Sequence, residues 1–579
     1  MANVGDPFSL MEALRLTFPA QQQGQHLMVE TRPEALKRWL EGLPYGDMKR
    51  TVPQVSQAIA SLNRTEVSVN QRAELVALFD HTYELISDYY RPKIVLRPRG
   101  QQFAGRAETD ELSTLTREMS FAHKMLVIGL IEKRSFWSKE KPLTRAVNLA
   151  IHYLSVILLE HYETYSPVPV YVWRELNALF SYASEHKLEQ VEALPEHYKH
   201  CMATIQDNYV RACLISLANP YQMDRGEHWE MNKYLAHWTP LAKISADPDD
   251  FTKRNCFVVD LSGEAKPRYG VNALEDPEDP RIRLLITHDL TLKLTQQIED
   301  LEREHQLPSP GFYPGLNPQE ALNLLQRMSS HWDFRVERHA PRYPVINQLD
   351  VIWGLQQIHQ VLTWQDPLSP NADPEARNAN RLTLAKKLER DDPQELRWDA
   401  VNASDGGICL TQHHDAVDYL RVGQLAAMRE YVDGHPTMRW VLGVVRWLRG
   451  DKRKGTTLGI QFIKGDIQAV TIRARKGNRI ETTAQPALLV SGEEMHGLAS
   501  PTVVAQRGLY QDGRQLVLTI GVEALSVRAR MRVEATPMVE RFFYQVYHHD
   551  DIEARSPSSN SEDDEGPITL DNVPLPGDH

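Results

Sequence analysis

Cysteine is scarce: the 579 residues hold four, at 201, 213, 256 and 409, with no Cys-x-x-Cys pair. That excludes a disulfide framework and a zinc ribbon and fits a reducing compartment. A long unbroken apolar run is also missing. The most apolar helical stretch, 146–159, is interrupted by Asn148, His152 and Ser155 and falls short of the ~20 apolar residues that span a bilayer. The first residues lack the basic stretch and apolar core of a signal peptide, so a soluble, cytoplasmic protein without membrane insertion is expected. A basic excess is absent too. The formal net charge is −12, and nine acids against one Arg from Asp550 onward account for −8 of it, leaving about −4 on the remaining 549 residues. A body so near neutrality offers nucleic acid no broad positive field.

What remains is ordinary for a globular chain, 42% hydrophobic and 25% charged, long enough for several domains. Residues 1–245 read as helix after helix. Leu143, Val147, Ala150, Ile151, Leu154, Ile157 and Leu158 form an amphipathic stripe behind Pro142, and similar stripes occupy 75–90, 121–130, 172–183 and 209–217. The pattern changes after 247. Residues 250–310 read as a small α/β segment, with strands near 256–261 and 283–287 and a charged helix at 296–305. Beyond a helix at about 318–330 the chain becomes mostly β. Short runs at 345–355, 398–410, 439–448, 457–463 and 469–475, with glycine-bearing turns between the last three, predict a small antiparallel barrel over 330–480. A stretch at 356–397 reads as a helical insertion, 485–547 as a further β segment, and 550–579 as a disordered, solubilising acidic tail. The fold class is therefore α+β and multidomain.

Two polar constellations stand out. Asn402-x-Ser404-x-x-Gly407 lies between strand-like runs; Asn and Ser present compact donors and acceptors, and glycine lets a flat ligand approach the backbone. The same pattern also suits a plain polar turn. Arg338-x-x-x-Arg342 stands just before the predicted opening strand, with Pro341 and Pro344 favouring an extended chain there. Arginine's planar fork suits phosphate oxygens and the guanine edge. A competing pair, Arg377 and Arg381, lies nearer to Asn402 but within a segment that reads as a charged helix.

Together with Leu420-Arg-Val-Gly-Gln-Leu, Trp440-Val-Leu-Gly-Val-Val-Arg-Trp and Leu458-Gly-Ile-Gln-Phe, these motifs resemble a PilZ domain across about 335–475. The resemblance implies a six-stranded barrel that binds cyclic di-GMP, with Arg338 and Arg342 on phosphates and guanine edges, Asn402 and Ser404 on a guanine, and Gly407 permitting close approach. A long helical half followed by such a barrel resembles the FimW-type receptors, which implies a role in type IV pilus assembly and twitching motility through a protein partner on the helical half.

Other chemistry finds less support. His197, His200 and Cys201 could share a helical face, and His413-His414-Asp415 has the residue types of a metal hydrolase, but neither has a matching second pair. No phosphate-binding Gly-x-x-x-x-Gly-Lys loop, nucleophile elbow or His-Glu-x-x-His helix occurs. The expectation is a non-enzymatic receptor without cofactor or metal. The alternative is a scaffold whose degenerate barrel binds no nucleotide.

Overall fold

The computed structural model describes residues 14–22, 29–95, 106–133, 140–195, 198–247, 250, 256–269, 279–333, 341–365, 397–413, 419–432, 435–437, 439–451, 454–476, 479–495 and 498–547. Helices from Pro33–Glu41 to Glu227–Trp238 build the N-terminal half around Glu140–Glu163, which is buried on almost every side. The sequence expectation for this stretch needs one correction. The helix runs to 24 residues, long and apolar enough to cross a membrane, but 89% of its apolar window is packed inside the protein. Neighbouring helices have taken the surface that lipid would need.

That helical core is also polar in places. Asp80, itself buried, accepts hydrogen bonds from His123 Nε2 at 2.8 Å, Tyr153 at 2.8 Å and Tyr198 at 2.9 Å. Lys124 and Glu175 meet at 2.8 Å, both fully buried. A carboxylate surrounded by donors is tolerated in such a place; an unpaired one is not.

The segment after 245 does not stand alone. Strands β1 (Lys243–Ser245), β2 (Cys256–Asp260), β3 (Arg268–Tyr269) and β4 (Ile282–Ile286) form a sheet ordered β1-β4-β2-β3. Phe257, Val259 and Leu285 on it, and Leu290, Leu294 and Leu301 on the helix His288–Glu304, join the core of the N-terminal helices.

The rest of the chain builds two closed, six-stranded antiparallel barrels. The first is made of β6 (Gln348–Trp353), β7 (Arg397–Ser404), β8 (Gly407–Gln412), β9 (Leu425–Val432), β11 (Val441–Asp451) and β12 (Gly455–Ile463), with the short β5 (Tyr343–Pro344) and β10 (His435–Pro436) at its margins. The second is made of β13 (Asp466–Lys476), β15 (Gln485–Met495), β16 (Leu498–Gln506), β17 (Gln515–Ile520), β18 (Glu523–Ala535) and β19 (Val539–Val546), with β14 (Arg479–Ile480) beside β13. Counted from the first strand of each, the pairings are the same: first with second, second with third, third with sixth, sixth with fifth, fifth with fourth, and fourth back to first. The strand at 469–475, expected in the first barrel, opens the second. The boundary therefore falls at Lys464-Gly465, and the stretch 485–547 supplies the other five strands of a complete barrel. Gly465 makes so short a link feasible: its φ is +123°, and a Cβ there would lie 1.9 Å from the Ser491 carbonyl oxygen.

Apolar joints fix the three parts together. Tyr165, at the end of the Glu140–Glu163 helix, is fully buried in the core of the first barrel with Trp398, Leu410 and Leu458, and its carbonyl accepts from Gly450 N at 2.9 Å. The helix Leu355–Gln365 wedges Ile358 and Val361 between the barrels, among Leu442, Ile463, Leu488 and Val504.

Candidate functional site

The Asn402–Gly407 motif forms the hairpin between β7 and β8. A bulge between Ala400 and Asn402 shifts the register, and beyond it Asn402 pairs with Cys409 and Ser404 with Gly407. Asn402 is half-buried, and no hydrogen bond to its side chain occurs among the described residues. Ser404 Oγ lies 3.5 Å from the Gly407 carbonyl oxygen across the turn, too long for a strong bond. Two compact polar groups are thus presented without being consumed by the fold.

Gly407 is required by sterics. It pairs with Gln461 on β12, and a Cβ at Gly407 would sit 2.3 Å from the Ile460 carbonyl oxygen. Gln461 accepts from Arg446 Nε at 2.6 Å, and Arg446 in turn meets Glu534 of the second barrel at 2.5 Å. A polar chain therefore leads from the motif's own strand neighbour to the other barrel. Neither Arg446 nor Gln461 is discernible as a site residue in the sequence.

The structure brings one of the sequence-predicted arginines to this hairpin. In β5, Tyr343 pairs with Ala403 and Pro344 with Asn402, so one step back along the same antiparallel register Arg342 is level with Ser404. Arg342 is exposed, and its positive charge works against the upward push that burial gives the Cys409 thiol, opposite Asn402. Arg338 lies outside the described residues, as do Arg377 and Arg381.

A cleft of about 590 Å³ continues along the same strand, lined by Ile346, Asn347, Gln348, Arg397, Asp399, Ala400 and Tyr431. A cation and an aromatic ring meet in its lining, and a second such pair, with its cation on β9, stands next to it. Arg397 lies 5.0 Å from the Tyr431 ring centre, and Arg429 lies 4.7 Å from that of Trp440. Buried Asp350 holds this row in place, accepting from Arg429 Nε and the Tyr431 hydroxyl, both at 2.9 Å. Alternation along β9 could have pointed to Arg429 and Tyr431. However, Leu425-Ala-Ala-Met-Arg-Glu is rich in helix formers, and no strand was expected there.

The other candidates separate. His413 is exposed, 3.9 Å from Asp399, while His414 and Asp415 lie outside the described residues. His200 is held by Asp88 at 2.6 Å and Cys201 lies 3.0 Å from Asn208 Nδ2; His197 is outside the described residues. No group of three His, Cys, Asp or Glu side chains able to hold a metal occurs among the described residues. The site's chemistry is recognition: amide, hydroxyl and guanidinium groups beside an open strand, with room for a flat, anionic ligand.

Comparison with known families agrees with this layout. Residues 34–249 match the N-terminal domain of the cyclic-di-GMP receptor FimW, and residues 362–466 match its middle PilZ domain. The chain is 23% identical to the cyclic-di-GMP receptor FimW of Pseudomonas aeruginosa, over 92% of this chain and 93% of that one. The PilZ match contains Asn402, Ser404 and Gly407. It begins after Arg338 and Arg342 and after β6, the strand that closes the barrel, and it spans Arg377 and Arg381.

Proposed function

The chain belongs to the FimW-type PilZ receptors, and from that premise we propose that it binds cyclic di-GMP on the β7–β8 hairpin of its first barrel and acts in the cytoplasm as a non-enzymatic effector. The observation that carries this reading is the alignment of Arg342 with Ser404 beside an Asn402 amide that the fold leaves unused. Asn402 and Ser404 would take a guanine, Gly407 would let the base approach the backbone, and Arg338 and Arg342 would take phosphates and stack on purine faces. Arg338 and Arg342 are preferred to Arg377 and Arg381 because β5, which directly follows Arg342, pairs with β7 through its backbone.

Binding does work only through a difference in affinity between two states of the receptor. The route to a partner runs through the two joints, Gln461–Arg446–Glu534 toward the second barrel and Tyr165 toward the helical half. By the layout resemblance, the output is type IV pilus assembly and twitching motility, delivered through a protein that docks on the helical half.

Calorimetric titration of cyclic di-GMP into the full chain tests the reading. Saturable binding that is lost in Arg338→Ala/Arg342→Ala and kept in Arg377→Ala/Arg381→Ala is expected. The reverse pattern moves the arginine pair to the insertion. No binding by the folded wild-type chain overturns the receptor assignment and leaves a scaffold.

A further inference from the structure

The second barrel carries a charge pattern that its fold does not neutralise. On β13, Val470, Ile472 and Ala474 point into the barrel, which turns Arg473 and Arg475 outward. Register carries the outward row across four adjacent strands: Arg475 pairs with Gln515 of β17, Gln515 with Arg528 of β18, and Arg528 with Gln545 of β19. Arg530 joins this row by donating to Gln545 Oε1 at 2.9 Å. Lys476 and Arg479, paired at the β13–β14 end, lie on the opposite face of the sheet from Arg475.

Neutral groups meet two cations of this row: Arg530 contacts Gln545, and Arg528 lies 5.2 Å from the Tyr547 ring centre. Arg473, Arg528 and Arg530 form no ion pair among the described residues. Of the nearby carboxylates, Glu481 is engaged by Arg514 at 3.5 Å, and Glu523 stands at the far hairpin. Three such positive charges on one barrel wall, in a chain of net charge −12, are a surface suited to an anionic occupant.

The chain supplies that occupant at the correct place. β19 ends with Val546 paired to Val527, the residue before Arg528, so the polypeptide leaves the barrel at the edge of the basic wall. The segment from Asp550 onward holds nine acids and one Arg, including the run Glu562-Asp-Asp-Glu565. Fifteen residues lie between Val546 and Glu562, and a random chain of that length spans roughly 22 Å. Four strands about 4.8 Å apart make a wall about 14 Å across, well within that reach. Tethering places the acids at an effective concentration in the millimolar range.

We propose that the acidic C-terminal segment 550–579 docks on the outer face of the second barrel formed by Arg473, Arg528 and Arg530.

Zero-length carbodiimide cross-linking of the full chain tests this, alongside an Arg528→Lys/Arg530→Lys variant that keeps the charge and adds amines on the wall. Peptide mapping is expected to join amines at 528 and 530 to carboxylates within 550–579. The links should form inside monomers, and their yield should fall at least fivefold between about 0.05 M and about 0.5 M salt as screening sets in. Replacing Glu562, Asp563, Asp564 and Glu565 by their amides leaves the barrel untouched and should remove most of the links. Three results would overturn the proposal: tail links to lysines of the helical half in place of the wall, links insensitive to salt, or links confined to covalent dimers. The last would assign the wall to a second copy of the chain.

Discussion

The two barrels share one strand connectivity and differ in what leads into their first strand. The first is entered through Arg342 and β5, a segment hydrogen-bonded along β7 that ends beside Ser404. The second is entered through Lys464-Gly465 alone, straight from the last strand of its neighbour. Two residues leave no room for an arginine pair that could wrap a ligand, and the second barrel's corresponding β15–β16 hairpin carries no Asn-x-Ser-x-x-Gly pattern. On the proposed reading, the same barrel serves as a recognition site in one copy and as a charged wall in the other. Fold and function separate here, as they do in many repeated architectures.

The difference extends to what each barrel encloses. The first closes around Tyr165 from the helical half, whereas the second fills its interior with its own Ile472, Leu516, Leu518, Val527 and Phe542. Tyr165→Ala should therefore cost about 3–5 kcal/mol, by analogy with other buried aromatic truncations, and loosen the first barrel selectively. Denaturant melts followed by tryptophan emission would show a new, earlier transition; a single unshifted transition would mean that the joint contributes nothing.

A second contrast sets the barrels against the helical half, which buries titratable groups. Burial raises the Glu160 carboxyl to about 7, outweighing the hydrogen bond it accepts from Thr116 at 2.7 Å. Its folded-state value lies above its unfolded one, so the folded chain holds the extra proton between about 4.5 and about 7. Stability from this group is present below that window and lost as pH rises through it, on the order of 3 kcal/mol. In Glu160→Gln that part of the slope should vanish; melting temperatures across pH 4–8 with an unchanged slope would place the effect elsewhere.

Gly407→Ala tests the hairpin. The added Cβ meets backbone, which cannot swing away, so a loss of about 1–3 kcal/mol and of ligand binding is expected. Calorimetry with cyclic di-GMP, paired with a thermal melt, checks both. Asn402→Ala should be milder and more selective: affinity falls about tenfold, the worth of one good hydrogen bond, while stability stays within ~0.5 kcal/mol because the fold does not use the amide. Alanine at Glu493 or Glu494 in the matching hairpin of the second barrel should leave affinity unchanged. Weakened binding there would make the second barrel part of the site.

Much of this was legible in the order of residues. Helical periodicity located the N-terminal helices, and glycine-bearing turns located the barrel strands near 439–475. The strand β9 was not legible, because Ala426, Ala427 and Met428 favour a helix locally and become strand only through pairing with β6 and β11. The boundary between the barrels was hidden for a related reason. An alternating strand at 466–476 reads the same whichever sheet it joins.

Local chemistry dictated the identities that recognition needs: an amide, a hydroxyl, a glycine and candidate arginines, and the concentration of acid at the C-terminus. These are legible in the chain because periodicity, turn chemistry and charge are properties of neighbouring residues. Only folding brought the Arg342 segment to Asn402, set Tyr165 as the plug of a barrel that begins nearly two hundred residues later, and gathered Arg473, Arg475, Arg528 and Arg530 onto one wall. Those outcomes depend on strand register and sheet closure, which are set by packing between segments distant in the chain.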